Sequence, residues 1–266
     1  MQTIDKAREP APCEPVEAAR YVGRLATEAR EHRAVRHPYL VALREGTLPD
    51  TRFALTDFAR HYNGYSAHFP RYVTSAISRL ERAEHRNALL HNLVEEGGTY
   101  RDDDLAVLAR AGVDRAWIDG VAHPMLFRRF AEALGVDHGA APEADQVVCW
   151  REMLLAVLST TSAAEAIGAL GLGTENIVHA LYGPFVEAIA RLGDVHPRDA
   201  VFFALHTVVD DDHQATLAAI AVDLAATPEG RAGLRRGMLK ALTLRAGFWD
   251  WLHARALDPQ RADALL

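Results

Sequence analysis

The chain has 266 residues, 49% of them apolar, enough to bury a substantial core in one large domain or two small ones. Its formal charge of −7 comes from interspersed acids and bases, so there is no basic face for nucleic acid, and an anionic polymer is not an expected partner. The opening "MQTIDKAREPAPCEPVEAARYVG" lacks the apolar run of a signal peptide and no later stretch reaches membrane-spanning length, which gives the expectation of a cytoplasmic protein without membrane contact.

Only two cysteines occur, Cys13 and Cys149, too few for a disulfide framework or a thiolate cage. Any bound metal must therefore use histidine and carboxylate. Apolar residues recur at spacings of three and four along almost the whole chain, and alternation of period two is rare, so the fold class is all-α. After a tail to about residue 14 with a disordered composition, helical patterns run over roughly 15–31, 34–46, 50–80, 82–97, 103–111, 124–135, 145–169, 172–192, 197–226 and 228–256. The breakers "GTLPD", "EEGG", "LGVDHGAAPEAD", "GLG" and "LGDVHP" separate them. Short connections make sequential helices antiparallel neighbours, so residues 15–266 are expected to form a single bundle of about seven main helices.

Several of these helices carry groups suited to chemistry. In "DFARHYNGYSAHFPRY", His61, Tyr62, Tyr65 and His68 are candidates to line a substrate cavity, although an amphipathic helix shows the same residues. Arg71, Arg128 and Arg129 are candidate carboxylate anchors through the two-pronged guanidinium, with surface exposure as the plainer reading. "HNLVEEGG" ends a helix on Glu95 and Glu96, and Glu96 shares a side with Leu89 and Leu93, so it is the better inward candidate with Glu95 as the alternative. A glutamate pair at a helix end is also an ordinary solvated terminus. His123 directly precedes Pro124, at the first turn of a helix whose inward face is Leu126, Phe127, Phe130 and Leu134. A cap is the alternative there.

"GLGTENIVHALYGPF" sets Glu175, His179 and Tyr182 on one face, where Glu175 could serve the helix dipole and the other two could be core. In "HTVVDDDHQ", a turn of 100° per residue places Asp210 and His213 at roughly +40° and −20° from His206, while Asp211 and Asp212 point elsewhere. Phe202, Val209 and Leu217 lie near that stripe, so it faces inward. Burying an ionised carboxylate beside two imidazoles costs several kcal/mol unless it is paired or bound to metal. Either a divalent cation or a hydrogen-bonded Asp–His pair meets that requirement.

Taken together and in this order, these segments resemble the haem-oxygenase-like di-iron oxidases, a family of iron-containing redox enzymes. The resemblance rests on "NLVEE", "HPMLF", "GTENIVHALYG" and "HTVVDDDH", and extends through "EHRAVRHPYLVALREGTLPDTRFALTDFARHYNGYSAHFPRYV" to cover roughly residues 20 to 255. It implies a haem-oxygenase-like fold and a centre of two Fe(II) ions held by Glu96, His123, Glu175, His206, Asp210 and His213. It further implies O2 as co-substrate and a small amino-acid-like or fatty-acid-like substrate undergoing oxidative bond cleavage, desaturation or N-oxygenation, and a possible homodimer. His179 and Tyr182 would then stand behind the ligands. About 27 residues separate Glu96 from His123, so "TYRDDDLAVLARAGVDRAWIDG" is an insertion beside the site. Competing readings are a metal-free enzyme of the same architecture, thiaminase-like with Cys149 as nucleophile or a cofactorless oxidase, and a non-enzymatic iron-binding bundle.

Overall fold

Prolines and caps start the helices where the sequence marks them. The computed structural model describes residues 14–137, 139, 143–208, 211–260 and 262. The expected tail, apart from Glu14, and the candidate ligand Asp210 lie outside the described residues. Proline occupies the first turn of α1 (Pro15–Glu31), α2 (Pro38–Glu45), α4 (Phe69–Ile77), α7 (His123–Ala133) and α13 (Pro228–Leu257), where its missing N–H costs nothing. The Asp50 carboxylate accepts from the Phe53 amide to start α3 (Thr51–Ser66), and Thr227 accepts from Gly230 to start α13. Gly46 and Gly193 adopt left-handed conformations, φ 69° and 74°, and end α2 and α10 (Val178–Leu192).

The remaining α-helices are α5 (Ala83–Glu96), α6 (Asp102–Arg110), α8 (Asp145–Thr160), α9 (Ala163–Ile167), α11 (Val201–Val208) and α12 (Asp211–Leu224). Among the described residues there is no strand, and seven helices reach fourteen residues or more. The pattern over 197–226 is described as α11 and α12, on either side of residues 209–210, and two other expected helices are divided. The pattern over 50–80 breaks at Ala67 and His68, because the Pro70 ring would collide with the Ser66 carbonyl one turn earlier. The pattern over 145–169 ends at Thr160, and Ser162 caps α9 by accepting from the Glu165 amide at 3.2 Å.

Beyond α9 the backbone widens into one π-helical turn, Gly168–Leu172, and tightens into a 3₁₀ turn, Glu175–Ile177, before α10. Close backbone contact with α13 makes this irregular stretch possible. A Cβ added at Gly237 would overlap the Glu165 carbonyl, and one added at Gly168 would overlap the Leu234 carbonyl. In an open helix, alanine is better than glycine by roughly 1 kcal/mol. Here the sign reverses: Gly237→Ala is expected to destabilise by about 1–3 kcal/mol because helix backbones must separate. Urea unfolding measures this, and a stabilised variant would show that the contact is loose.

α13 packs on α8, α9 and the π turn, α3 packs on α7 and α8, and α10 packs on α2 and α11. Their meeting faces bury Phe58, Phe127, Phe130, Phe185, Phe203 and Trp249 almost completely. Phe58 and Phe185 lie 4.1 Å apart between ring centroids, and Phe130 meets Phe203 edge to face at 4.8 Å. Each such pair contributes about 0.5–1.5 kcal/mol beyond its buried area. This aromatic floor anchors the helices that carry the polar side chains above it. No helix of the described residues is long and apolar enough to cross a membrane.

Candidate metal centre

The end of α5, the start of α7, the α11–α12 region and the 3₁₀ turn converge on one buried spot. Glu96, His123 and His206 each present a donor atom there, and the three atoms all lie within 4.8 Å of one another. The His206 Nδ1–H donates to the Phe202 carbonyl at 2.7 Å. A carbonyl can only accept, so Nε2 is the atom left with a lone pair. His123 Nε2 lies 2.9 Å from the Tyr100 hydroxyl, and its Nδ1 lies 3.2 Å from Glu96 Oε2 without being aligned for a hydrogen bond. Each histidine thus has one nitrogen engaged and one aimed at the cluster, the arrangement by which outer partners orient metal-binding imidazoles.

A second group adjoins the first. Glu95, one residue before Glu96, pairs with His213 Nε2 from α12, and Arg101 Nε approaches the Glu95 carboxylate at 3.9 Å. Glu175 is buried on the facing 3₁₀ turn. Asn176 holds that turn in place: its amide donates to the Ala26 carbonyl at 3.0 Å, and its side-chain oxygen accepts from Arg30 at 2.7 Å and Gln214 at 2.9 Å. One buried residue therefore ties the Glu175 turn to α1 and α12.

The electrostatics follow from burial and mutual proximity. Burial pushes the Glu175 carboxyl up to about 7, reinforced by Glu96 and opposed by His213 and His123. Burial also pushes Glu96 up, but the His123 imidazole, with His206 and His213, leaves it below its ordinary value. Burial and the neighbouring His123 drive His206 down to about 3, so it stays neutral, the form that binds metal. For His213 burial acts downward, yet the Glu95 hydrogen bond and the charges of Glu175 and Glu96 raise it to about 9. Three carboxylates and three imidazoles crowd one poorly hydrated region. A divalent cation fits this set: the buried His123 Nδ1 lacks a hydrogen-bond partner, and nitrogen with carboxylate oxygen suits Fe(II), Mn(II) or Zn(II).

Glu96, His123, Glu175 and His206 open onto a narrow cavity also lined by Tyr62, Tyr65, Tyr182 and Arg245. Its free volume is about 30 Å³, space for ions and a water or two, so a metabolite can enter only if side chains move. Tyr62 and Tyr182 meet hydroxyl to hydroxyl at 2.9 Å. Burial pushes the Tyr182 phenol well above its ordinary value, and Tyr62 reinforces it.

Of the sequence candidates, Glu96, His123, Glu175, His206, Tyr62, Tyr65 and Tyr182 reach this cavity, and Glu95 and His213 adjoin it. Several others do not. His179 is exposed, because the 3₁₀ turn shifts the phase and α10 begins only at Val178. His68 sits at the α3–α4 break, beside Arg71 and Arg151 and outside the cavity lining. His61 packs edge-on to Trp251 and beside Asp57. Arg128 pairs with Glu132 at the surface, Arg129 donates to the Trp117 carbonyl, and Arg71 is exposed.

The insertion contributes Tyr100 and Arg101, and α13 contributes Arg245. The position of the insertion directly after Glu96 could have suggested the first pair, but no local pattern marks Arg245. Gly98 lets the insertion fold back: its φ is +90°, its carbonyl accepts from the Gly120 amide at 2.9 Å, and a Cβ would meet the Val121 nitrogen at 2.6 Å.

The bundle and its buried histidine–carboxylate cluster define an all-α protein of the haem-oxygenase-like fold. The profile of the iron-containing redox enzymes matches residues 56–246, and the chain belongs to that family. A search of curated proteins gives no match. Solved structures with the same fold include a CADD-like protein of unknown function from Nostoc punctiforme PCC 73102, at 16% identity and TM-score 0.71 over 91% of this chain and 100% of that one. A domain of unknown function with a haem oxygenase-like fold from Shewanella denitrificans OS217 aligns at 14% identity and TM-score 0.68 over 96% and 98%. A TenA homologue from Pseudomonas syringae pv. tomato str. DC3000 aligns at 15% identity and TM-score 0.66 over 94% and 100%. At these identities the likeness shows the fold alone.

Proposed function

We propose that the protein is a non-haem di-iron enzyme that uses O2 to oxidise or oxygenate a small metabolite in a biosynthetic pathway. The observation that supports this reading is the doubled donor set. Glu96, His123 and His206 would hold one ion, while Glu175, His213 and Asp210, with Glu95 in reach, would hold the other. Two Fe(II) ions held there would supply the electrons and open positions that O2 reduction needs.

The chain's own residues supply the rest. Tyr100 and the Phe202 carbonyl orient the two imidazoles, and the aromatic floor excludes water from the reacting region. The narrow cavity restricts access to a small molecule, which on this reading is amino-acid-like or fatty-acid-like. The thiaminase-like alternative needs a thiol at the cavity. Cys149 is exposed on α8, and no cysteine among the described residues lines the cavity.

Anaerobic Fe(II) titration followed by O2-electrode measurement tests the reading. The expected result is about two Fe(II) per chain and O2 uptake that depends on them; a protein that takes up neither iron nor O2 ends it. Asp210→Ala and Glu175→Ala are each expected to reduce iron loading while the metal-free protein stays folded, since removing a metal-binding carboxylate from a metal-free site costs little or stabilises. Full iron content in both variants would remove these two residues from the ligand set.

A further inference from the structure

Arg245 on α13 is 2% exposed and lines the cavity beside Glu96, His123, Glu175 and His206. Its Nη2 donates to the Tyr65 hydroxyl at 3.0 Å and its Nη1 to the Tyr62 hydroxyl at 3.5 Å. Its Nε has no hydrogen-bond partner. The guanidinium carbon lies 5.1 Å from the centre of the Tyr65 ring and 5.2 Å from that of Trp150. Aromatic faces and phenol oxygens hold a cation in place without neutralising it. The other fully buried arginine among the described residues, Arg255, is matched by a bidentate Asp57 carboxylate.

Arg245 makes no ion pair with a carboxylate among the described residues. Glu175 lines the same cavity but does not come within ion-pair distance of Arg245. A buried cation without a counter-ion is costly, and a rigid guanidinium fork is shaped to receive two carboxylate oxygens. The planar carboxylate suits this narrow space better than a bulkier tetrahedral anion.

We propose that Arg245, held by Tyr62 and Tyr65, anchors the carboxylate of the substrate, whose carbon skeleton enters as side chains move apart and rests on the apolar lining of Phe69, Val178 and Phe202. The substrate class is then a small apolar carboxylic acid. The assignment rests on the cavity being the substrate site of the oxidase reading, but it does not depend on iron being bound.

Calorimetric titration of the wild-type chain, metal-free and Fe(II)-loaded, compares hexanoate with hexanamide and phenylacetate with phenylacetamide. At least one acid is expected to bind roughly 10- to 100-fold more tightly than its amide in the metal-free protein, the size of a charge-assisted hydrogen-bonded contact. Arg245→Gln is expected to abolish that preference with iron content unchanged, and Arg245→Lys to keep part of it. Equal binding of acid and amide, no binding of either acid, or a preference that survives in R245Q overturns the assignment. If R245Q does not fold, the wild-type selectivity and R245K decide the matter by the same criteria. A wild-type chain that shows the acid preference but binds no iron would retain the anchor and end only the di-iron reading.

Discussion

Glu96→Gln is expected to weaken Fe(II) binding at least a hundredfold and to abolish iron-dependent O2 uptake, with only a small fall in the metal-free melting temperature. Replacing an outer partner of a metal ligand costs roughly 10- to 100-fold in affinity, and on the proposed reading Glu96 is itself a donor, with His123 and His206. Glu96 is 3% exposed and burial pushes its carboxyl up, but the imidazoles of His123, His206 and His213 hold it below the ordinary value, so the amide forfeits a small favourable charge interaction. Glu165→Gln is the matched comparison. That glutamate is equally buried but is engaged by Lys240 and by Arg236 at 2.5 and 3.3 Å, away from the cavity. It should lose stability and keep its iron. Metal analysis and thermal melts of both variants separate the two roles; full iron loading in E96Q would remove Glu96 from the centre.

Asp57→Ala is expected to be the most damaging single change, at about 3–5 kcal/mol, because it strands a buried guanidinium. For a chain of this size that is a fall in melting temperature of roughly 6–20 °C. Arg255 donates to both Asp57 oxygens, at 2.8 and 2.7 Å, lies over the Trp251 ring, and also donates to the Ala262 carbonyl. The Asp57–Arg255 pair clamps the end of α13 onto α3. Replacing both partners, Asp57→Leu with Arg255→Met, is expected to recover much of the loss, since apolar residues of similar volume can substitute for a buried pair. A double variant as unstable as D57A would show that the guanidinium contributes mainly through its contact with Ala262.

The same pair sets a pH dependence. Burial pushes the Asp57 carboxyl up, but the Arg255 hydrogen bonds, with His61, more than offset this and hold it below its ordinary value. A carboxyl depressed in the folded state adds stability that is fully present above the unfolded value of about 3.9. That stability is lost as the pH falls through the lower folded value. Acid titration of D57N, followed by circular dichroism, should therefore show a shallower loss of stability below about pH 4 than the wild-type chain.

His206 and His213, named from one motif, adjoin one polar region together with Glu96, His123 and Glu175, named from three others. The choice between Glu95 and Glu96 proved to be no choice of one. His123 approaches from α7 and His213 from α12, so two successive side chains, about 100° apart on the helix, each meet an imidazole. His179 was misplaced for a local reason: periodicity assumes one continuous helix, and a π turn followed by a 3₁₀ turn breaks the phase between Glu175 and α10.

The sequence by itself determined the all-α class and most helix limits, because periodicity, capping and proline act within a few positions. Tertiary structure alone decided the cavity's remaining chemistry. Arg245 reaches Tyr62 and Tyr65 across some 180 residues, Arg255 reaches Asp57 across 198, and Tyr100 turns back onto His123 from the insertion. No local pattern distinguishes an arginine that will find an aspartate from one that will find only phenols. That difference arises when α13 closes against α3, and it leaves one buried cation neutralised in the core and the other facing the site.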